Sequence, residues 1–156
     1  MKASSEKIEV VKQVTEELIK HLGFEAEISV EEDKENQAVR VQLESPDAAL
    51  LIGFHGEALG ALQLILNLII YRKLGEWIRV VVNVGDWREK REASLRDLAL
   101  SAAQKVKFSG QPAVLSSLSP ADRRVIHLVL ADHEDVETVS EGEGEERRLV
   151  VKPRPK

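Results

Sequence analysis

Two short stretches carry residue types and spacings able to do chemistry: Gly53-Phe54-His55-Gly56 and Arg123-Arg124-Val125-Ile126-His127. In the first, two glycines bracket two residues. The apolar run Leu50-Leu51-Ile52 precedes them and a long apolar-periodic segment follows from Glu57. Glycine lets the backbone turn tightly and leaves no Cβ to block a phosphate. A helix starting directly after such a turn aims its free N–H groups and positive dipole end at the turn, which suits an anion. Between the glycines, Phe54 can stack on a base or sugar, and His55 can meet phosphate only in a pH-dependent way. Glu57 favours the helix dipole but repels phosphate. Leu51, Ile52 and a strand residue, Val39 or Val41, are candidates to line an apolar groove beside the loop. Alone, the same pattern is an ordinary helix–helix turn, so its flanking elements must carry the reading.

In the second stretch, a spacing of four puts Arg123 and His127 on one helix face, one turn apart. The planar Arg fork suits phosphate, and His can donate to a second phosphate or stack on a base. Arg124 projects to a different side, where it can add charge or pair with a nearby carboxylate. The competing reading is a packed His127, with Arg123 paired to Asp122 or to the acidic stretch near residues 141–146. The interleaved charges of Arg88, Lys90, Arg91 and Arg96 with Glu89, Glu92 and Asp97 read as a solvated, salt-bridged helix face.

The elements that must position these residues are legible from pattern. Ile8, Val11, Val14 or Thr15, Leu18 and Leu22 recur at helical spacing, predicting a helix over 5–22 that ends at Gly23. Alternation predicts strands over 24–30 and 38–43, with a turn over 31–36. Ser45-Pro46-Asp47 opens a short helix, with Ser45 as cap, running into Gly53. A second helix spans 57–74 and stops at Gly75. Residues 78–84 are a β-branched strand. Asp86 and Glu89 form a capping-box pattern for a helix from Trp87 to about Phe108, ending at Gly110. A connection over 111–117 leads to a helix capped by Ser119 with Pro120 first inside. A hairpin follows, over 136–139 and 147–151.

Composition allows this. The 156 residues suffice for one domain or two small ones, and 43% hydrophobic content permits a core. Only 4% are aromatic, so that core is aliphatic and base-stacking surfaces are few. There is no cysteine, which excludes disulfides, thiolate metal sites and Cys nucleophiles. The net charge of −5 lacks the basic bias of many nucleic-acid binders, so any such binding must use local patches. The start of the chain has no apolar signal-peptide core, and the longest apolar runs read as too short or too interrupted to cross a bilayer.

The order helix, strand, strand, short helix, Gly-x-x-Gly, long helix, strand over 5–84 resembles a KH domain of the type II arrangement. Residues 85–152 resemble the small domain named for its Arg-x-x-x-His motif, carried by Arg123 and His127. With the segments Gly85-Asp86-Trp87-Arg88-Glu89-Lys90-Arg91-Glu92 and Glu137-Thr138-Val139-Ser140-Glu141-Gly142-Glu143-Gly144, the tandem resembles the bacterial Jag family, also called KhpB. The resemblance implies an α/β (α+β) fold: a three-stranded sheet packed by helices, then a small α/β domain packed on it through the helix from Trp87. Residues 153–156 are expected to be a disordered tail. Many members carry an additional N-terminal domain, for which this chain leaves no room. Comparable loops usually hold Lys or Arg between the glycines, where this chain has Phe54 and His55.

The same resemblance implies non-catalytic binding of single-stranded RNA, with single-stranded DNA as a further candidate. The RNA-binding residues would be Leu51, Ile52, Gly53, Phe54, His55, Gly56, Arg123, Arg124 and His127. It implies a cytoplasmic post-transcriptional regulator or RNA chaperone linked to cell elongation and division. It also implies a partner made of a single KH domain, or self-association. No Walker loop, dinucleotide fingerprint, nucleophile elbow or metal-spaced histidine set appears, so neither enzyme activity, a cofactor nor a metal is expected. The alternative is a protein–protein adaptor that uses the KH surface for dimerisation and binds RNA weakly or not at all.

Overall fold

The computed structural model describes residues 2–155. Its elements form two compact units, Met1–Arg88 and Glu89–Lys156. The fold class is α/β (α+β), with one three-stranded sheet in each unit.

In the first unit, α1 spans Lys2–His21 and buries Val11, Val14, Thr15 and Ile19. Leu22, expected on that face, lies past the helix end and is exposed, while Ile19 takes the inward position. The Thr15 hydroxyl donates to the Val11 carbonyl at 2.7 Å, which lets a polar side chain sit in the core. Strand β1 (Glu27–Asp33) runs antiparallel to β2 (Ala38–Glu44), with Ile28 opposite Leu43 and Val30 opposite Val41. Pairing moves β1 three residues beyond its expected start and shortens the turn. Asp33 closes that turn by accepting from the Asn36 N–H and side-chain amide at 3.1 and 2.8 Å. Those bonds, the Asn36 side chain first, hold the Asp33 carboxyl below its ordinary value.

Helix α2 is Ala48–Ile52, capped at Asp47 without a side-chain bond. Ser45, expected as the cap, instead accepts from the Asp47 N–H and donates to the Glu25 carbonyl, bracing the chain before the helix. Helix α3 (Glu57–Leu74) has its expected bounds and ends at Gly75 in the left-handed conformation. It buries Leu59, Leu62, Leu66 and Ile70 against β2 and β3 (Arg79–Val84), which run parallel. Contrary to the reading of its apolar runs, the helical stretch Phe54–Leu74 is long and apolar enough to cross a membrane by length and composition. One face of it is nonetheless spent on this unit's core. The outer edge of β3 is closed by side chains rather than by a strand. Asn67 bonds both the N–H and the C=O of Val80, Gln63 accepts from the Val82 N–H, and Arg88 donates to the Val82 carbonyl at 2.7 Å.

In the second unit, α4 (Trp87–Ser109, shared with the first unit through its first two residues) turns Leu95, Ala99, Ala102, Ala103 and Val106 inward. The small alanines let it lie close to Ile126 and Leu130 of α5 (Pro120–Leu130) and to Leu149 and Val151. Strands β4 (Ala113–Leu115), β5 (Val136–Glu141) and β6 (Arg148–Pro153) form an antiparallel sheet in the order β4-β6-β5. The connection expected over 111–117 therefore contains a strand. Three residues after a proline show no readable alternation, and β4 exists only through its pairing with residues 149–151. The tail expected to be disordered from residue 153 is corrected as well. Pro153 pairs with Val136, and the Arg154 N–H donates to the Asp135 carbonyl at 2.9 Å. Lys156 lies outside the described residues.

Candidate nucleic-acid interfaces

The loop between α2 and α3 is a single 3-10 turn, Phe54–Gly56. Gly53 adopts φ +71°, ψ −172°, a region essentially reserved for glycine, and Gly56 is left-handed at φ +81°. A Cβ on Gly53 would stand 2.6 Å from the Ala58 Cβ, and one on Gly56 would stand 3.0 Å from the Trp87 indole nitrogen. Both missing side chains thus face the protein, not open space. Gly53 is demanded by packing, a stronger reason than clearance for a phosphate, and Gly56 by its left-handed backbone, with the Trp87 indole close against it. Trp87, half-buried in the first unit's core, is the wall on which the loop rests.

Outside the turn, Phe54 and His55 stack with ring centroids 4.0 Å apart and planes 19° apart. Phe54 is 71% exposed, so its other face is open. Gly56 gives α3 no side-chain cap, and the Glu57 N–H turns back to the Phe54 carbonyl. No side chain caps the first turn of α3, the end of a helix where N–H groups lack partners within the helix itself. The expected groove lining needs correction. Leu51 is 4% exposed, Val39 9% and Val41 1%; all three are core side chains that offer almost no surface to a base. Ile52 is half-buried, and Leu50, not singled out from sequence, is 67% exposed.

In the second unit, Ser119 and Asp122 form a reciprocal capping box at the start of α5, with bonds of 3.1 and 3.2 Å. Asp122 also takes the Arg91 guanidinium, at 2.8 Å from Nη2. Burial pushes the Asp122 carboxyl up, but the bonds from Arg91 and the Ser119 N–H outweigh it and hold it below its ordinary value. Asp122 is therefore not the partner of Arg123, whose Nη1 donates to the Leu118 carbonyl at 2.7 Å. His127 is exposed rather than packed, and its Nδ1 lies 2.6 Å from the Thr138 hydroxyl on β5. That bond leaves the Nε2 edge as the one available to a ligand. Arg124 is exposed, beside an exposed Leu128. Thr138 was beyond the reach of sequence reasoning, because only the fold brings β5 alongside α5. Of the basic residues on α4, Arg88 is tied to the β3 edge and Arg91 to Asp122, both structural duties. Among the described residues, no group of three or more His, Cys, Asp or Glu side chains could hold a metal ion.

Comparison with known proteins agrees with this architecture. A family model described as the KhpA/KhpB KH domain matches residues 9–84, and the model of the domain named for its Arg-x-x-x-His motif matches residues 93–153. The chain is thus a tandem of a KH domain and an Arg-x-x-x-His domain. The RNA-binding protein KhpB of Bacillus subtilis is 32% identical over 152 residues, covering 94% of this chain and 72% of that protein. The protein of the same name from Clostridium symbiosum is 31% identical over 136 residues, 87% of this chain and 61% of that one. That of Lactiplantibacillus plantarum is 34% identical over 134 residues, 86% of this chain and 41% of that one. The chain belongs to the KhpB family, and it spans well under two thirds of the Lactiplantibacillus relative and 61% of the Clostridium one.

Proposed function

We propose that this chain binds single-stranded RNA without catalysis, through two separate sites. One is the Gly53–Gly56 loop, with Phe54, His55 and Ile52, resting on the buried Leu51. The other is the outer side of α5, with Arg123, Arg124 and the Nε2 edge of His127. The observation carrying this reading is the uncapped start of α3 behind a turn whose two glycines lie against Ala58 and Trp87. Pre-shaped amides cost little to organise around a phosphate, and Phe54 stands ready for a base. The relatives' name supports RNA as the ligand. In the cell the chain would act in the cytoplasm, as a post-transcriptional regulator or RNA chaperone in cell elongation and division. Titrating labelled single-stranded RNA at two salt concentrations tests the reading. Phosphate contacts make affinity fall as salt rises, by about 0.7 log units per contact per decade of salt. Absence of salt-sensitive binding at micromolar protein overturns it. Within it, His55→Asp should impair the first site and Arg123→Ala the second.

One observation favours the adaptor reading as a second role. Leu64, Ile65 and Leu68 of α3 are 58, 46 and 51% exposed, an apolar face of the KH unit pointing away from its own core. Such a face fits a second KH surface, from another copy or from a single-KH-domain partner. Light scattering after size-exclusion chromatography should show self-association that Leu68→Lys abolishes. A wild-type monomer at high concentration, with no binding to a single-KH protein, removes this role.

A further inference from the structure

The first unit carries a second candidate site at the end of its sheet opposite the glycine loop. Strands β2 and β3 are parallel, so their starts, Ala38 and Arg79, lie together at one pole. The chain leaves their other ends towards Gly85 and Trp87, where the loop rests. Six residues of β3 put about 20 Å between the poles, at roughly 3.3 Å per residue.

At that far pole is a cleft of about 430 Å³, within the range of small-ligand sites, roughly 300–1,000 Å³. Ile8 and Ile78, both half-buried, supply an apolar floor, and Trp77 supplies a wall. Trp77 is 61% exposed, a large apolar surface in a chain with few aromatics. Tyr71 braces the indole from one side, with centroids 6.0 Å apart and planes tilted 53°. The charges at the rim sort by what already neutralises them. Glu76 is paired with Lys7 at 2.8 Å, and Asp33 is taken by Arg40 and Asn36. Lys34, Arg79 and Glu32 have no ion-pair partner among the described residues, so the uncompensated balance is cationic. A flat apolar wall, an apolar floor and an unpaired guanidinium at the mouth together match a nucleobase with its phosphate.

We propose that this cleft is a second base-binding subsite, in which a base of a bound single-stranded RNA stacks on Trp77 while a neighbouring phosphate meets Arg79. The inference rests on the RNA reading above and extends it, since the strand would engage the KH unit at both poles. Stacking one base on an aromatic ring is commonly worth a factor of about ten or more in affinity.

The test uses the full chain and two ligands: a ribotetranucleotide, about the length one Gly-x-x-Gly loop clamps, and a much longer unstructured oligonucleotide. Trp77→Ala should weaken the long RNA about tenfold and leave the tetranucleotide unchanged. Trp77→Phe, which keeps a ring, should restore most of the loss. Arg79→Ala should lower the salt slope for the long RNA by about 0.7, one phosphate contact on a single strand. If wild type binds the long RNA and Trp77→Ala binds it equally well, the subsite is overturned and the RNA reading stands. If wild type binds neither ligand, the RNA reading itself fails. If Trp77→Ala instead dissolves a dimer seen by light scattering, the cleft belongs to a protein interface and the subsite is overturned.

Discussion

Replacing Gly53 with alanine tests the claim that this loop glycine answers to packing. Two costs follow from the structure. First, φ +71°, ψ −172° is a conformation that L-residues scarcely adopt, with a penalty of about 1–3 kcal/mol. Second, the new methyl would sit 2.6 Å from the Ala58 Cβ and 3.0 Å from its backbone nitrogen. The backbone atom cannot rotate aside, and forced overpacking costs about 1–3 kcal/mol. Restricting the unfolded chain returns about 0.4–1 kcal/mol. The net is a loss of about 3 kcal/mol, a large share of the roughly 4–13 kcal/mol expected for a unit of this size. Gly75→Ala is the control. Gly75 has the same sign of φ, at +72°, but nothing within 4 Å of its would-be Cβ, so only the left-handed strain of about 1 kcal/mol remains. Urea unfolding followed by tryptophan fluorescence reads the first unit alone, because both tryptophans, Trp77 and Trp87, lie in it. Should Gly53→Ala prove no more destabilising than Gly75→Ala, the packing account of the loop is wrong.

Three further predictions rest on particular bonds. Asn67→Leu strips the partners from the Val80 N–H and C=O, and should cost about 2 kcal/mol in the same fluorescence assay; an unchanged urea midpoint would show that the β3 edge does not depend on its side-chain ladder. Because Asp122 is held below its ordinary value, its contribution is present above the unfolded value and lost as pH falls through the lower folded one. The second unit of wild type should therefore weaken as pH drops below about 4. Asp122→Asn should be less stable at neutral pH and flatter across that window in circular-dichroism melts, and parallel pH profiles would refute the assignment. Thr138→Val removes the partner of His127 Nδ1; the imidazole nitrogen shifts in NMR spectra should move toward those of a free histidine side chain, and spectra identical to wild type would mean the bond does not orient the ring.

Elements whose signals are local were legible in the sequence. The bounds of α3 follow from Gly56 and Gly75, and the start of α5 from Ser119 and Pro120, because glycine and proline act on the backbone where they stand. Elements that depend on a partner were not. Strand β1 slid three residues to satisfy its register with β2, and β4 formed only because β6 offered an edge. The same division runs through the candidate sites. Gly53, Gly56, Arg123 and His127 stand out by type and spacing. Burial of Leu51, Val39 and Val41 does not, since an apolar residue looks the same in a sequence whether it floors a groove or fills a core.

The sequence by itself determined the order of elements, the tandem of two small units and the residues from which each site could be built, because periodicity, caps and turns are written within a few residues. Only the tertiary structure decided that Gly53 is enforced by Ala58 and Gly56 lies against Trp87, that Arg91 rather than Arg123 holds Asp122, and that Thr138 meets His127. Each of those is an encounter between residues distant in the chain or around a turn, where sterics and hydrogen-bond geometry, not residue type, choose the partner.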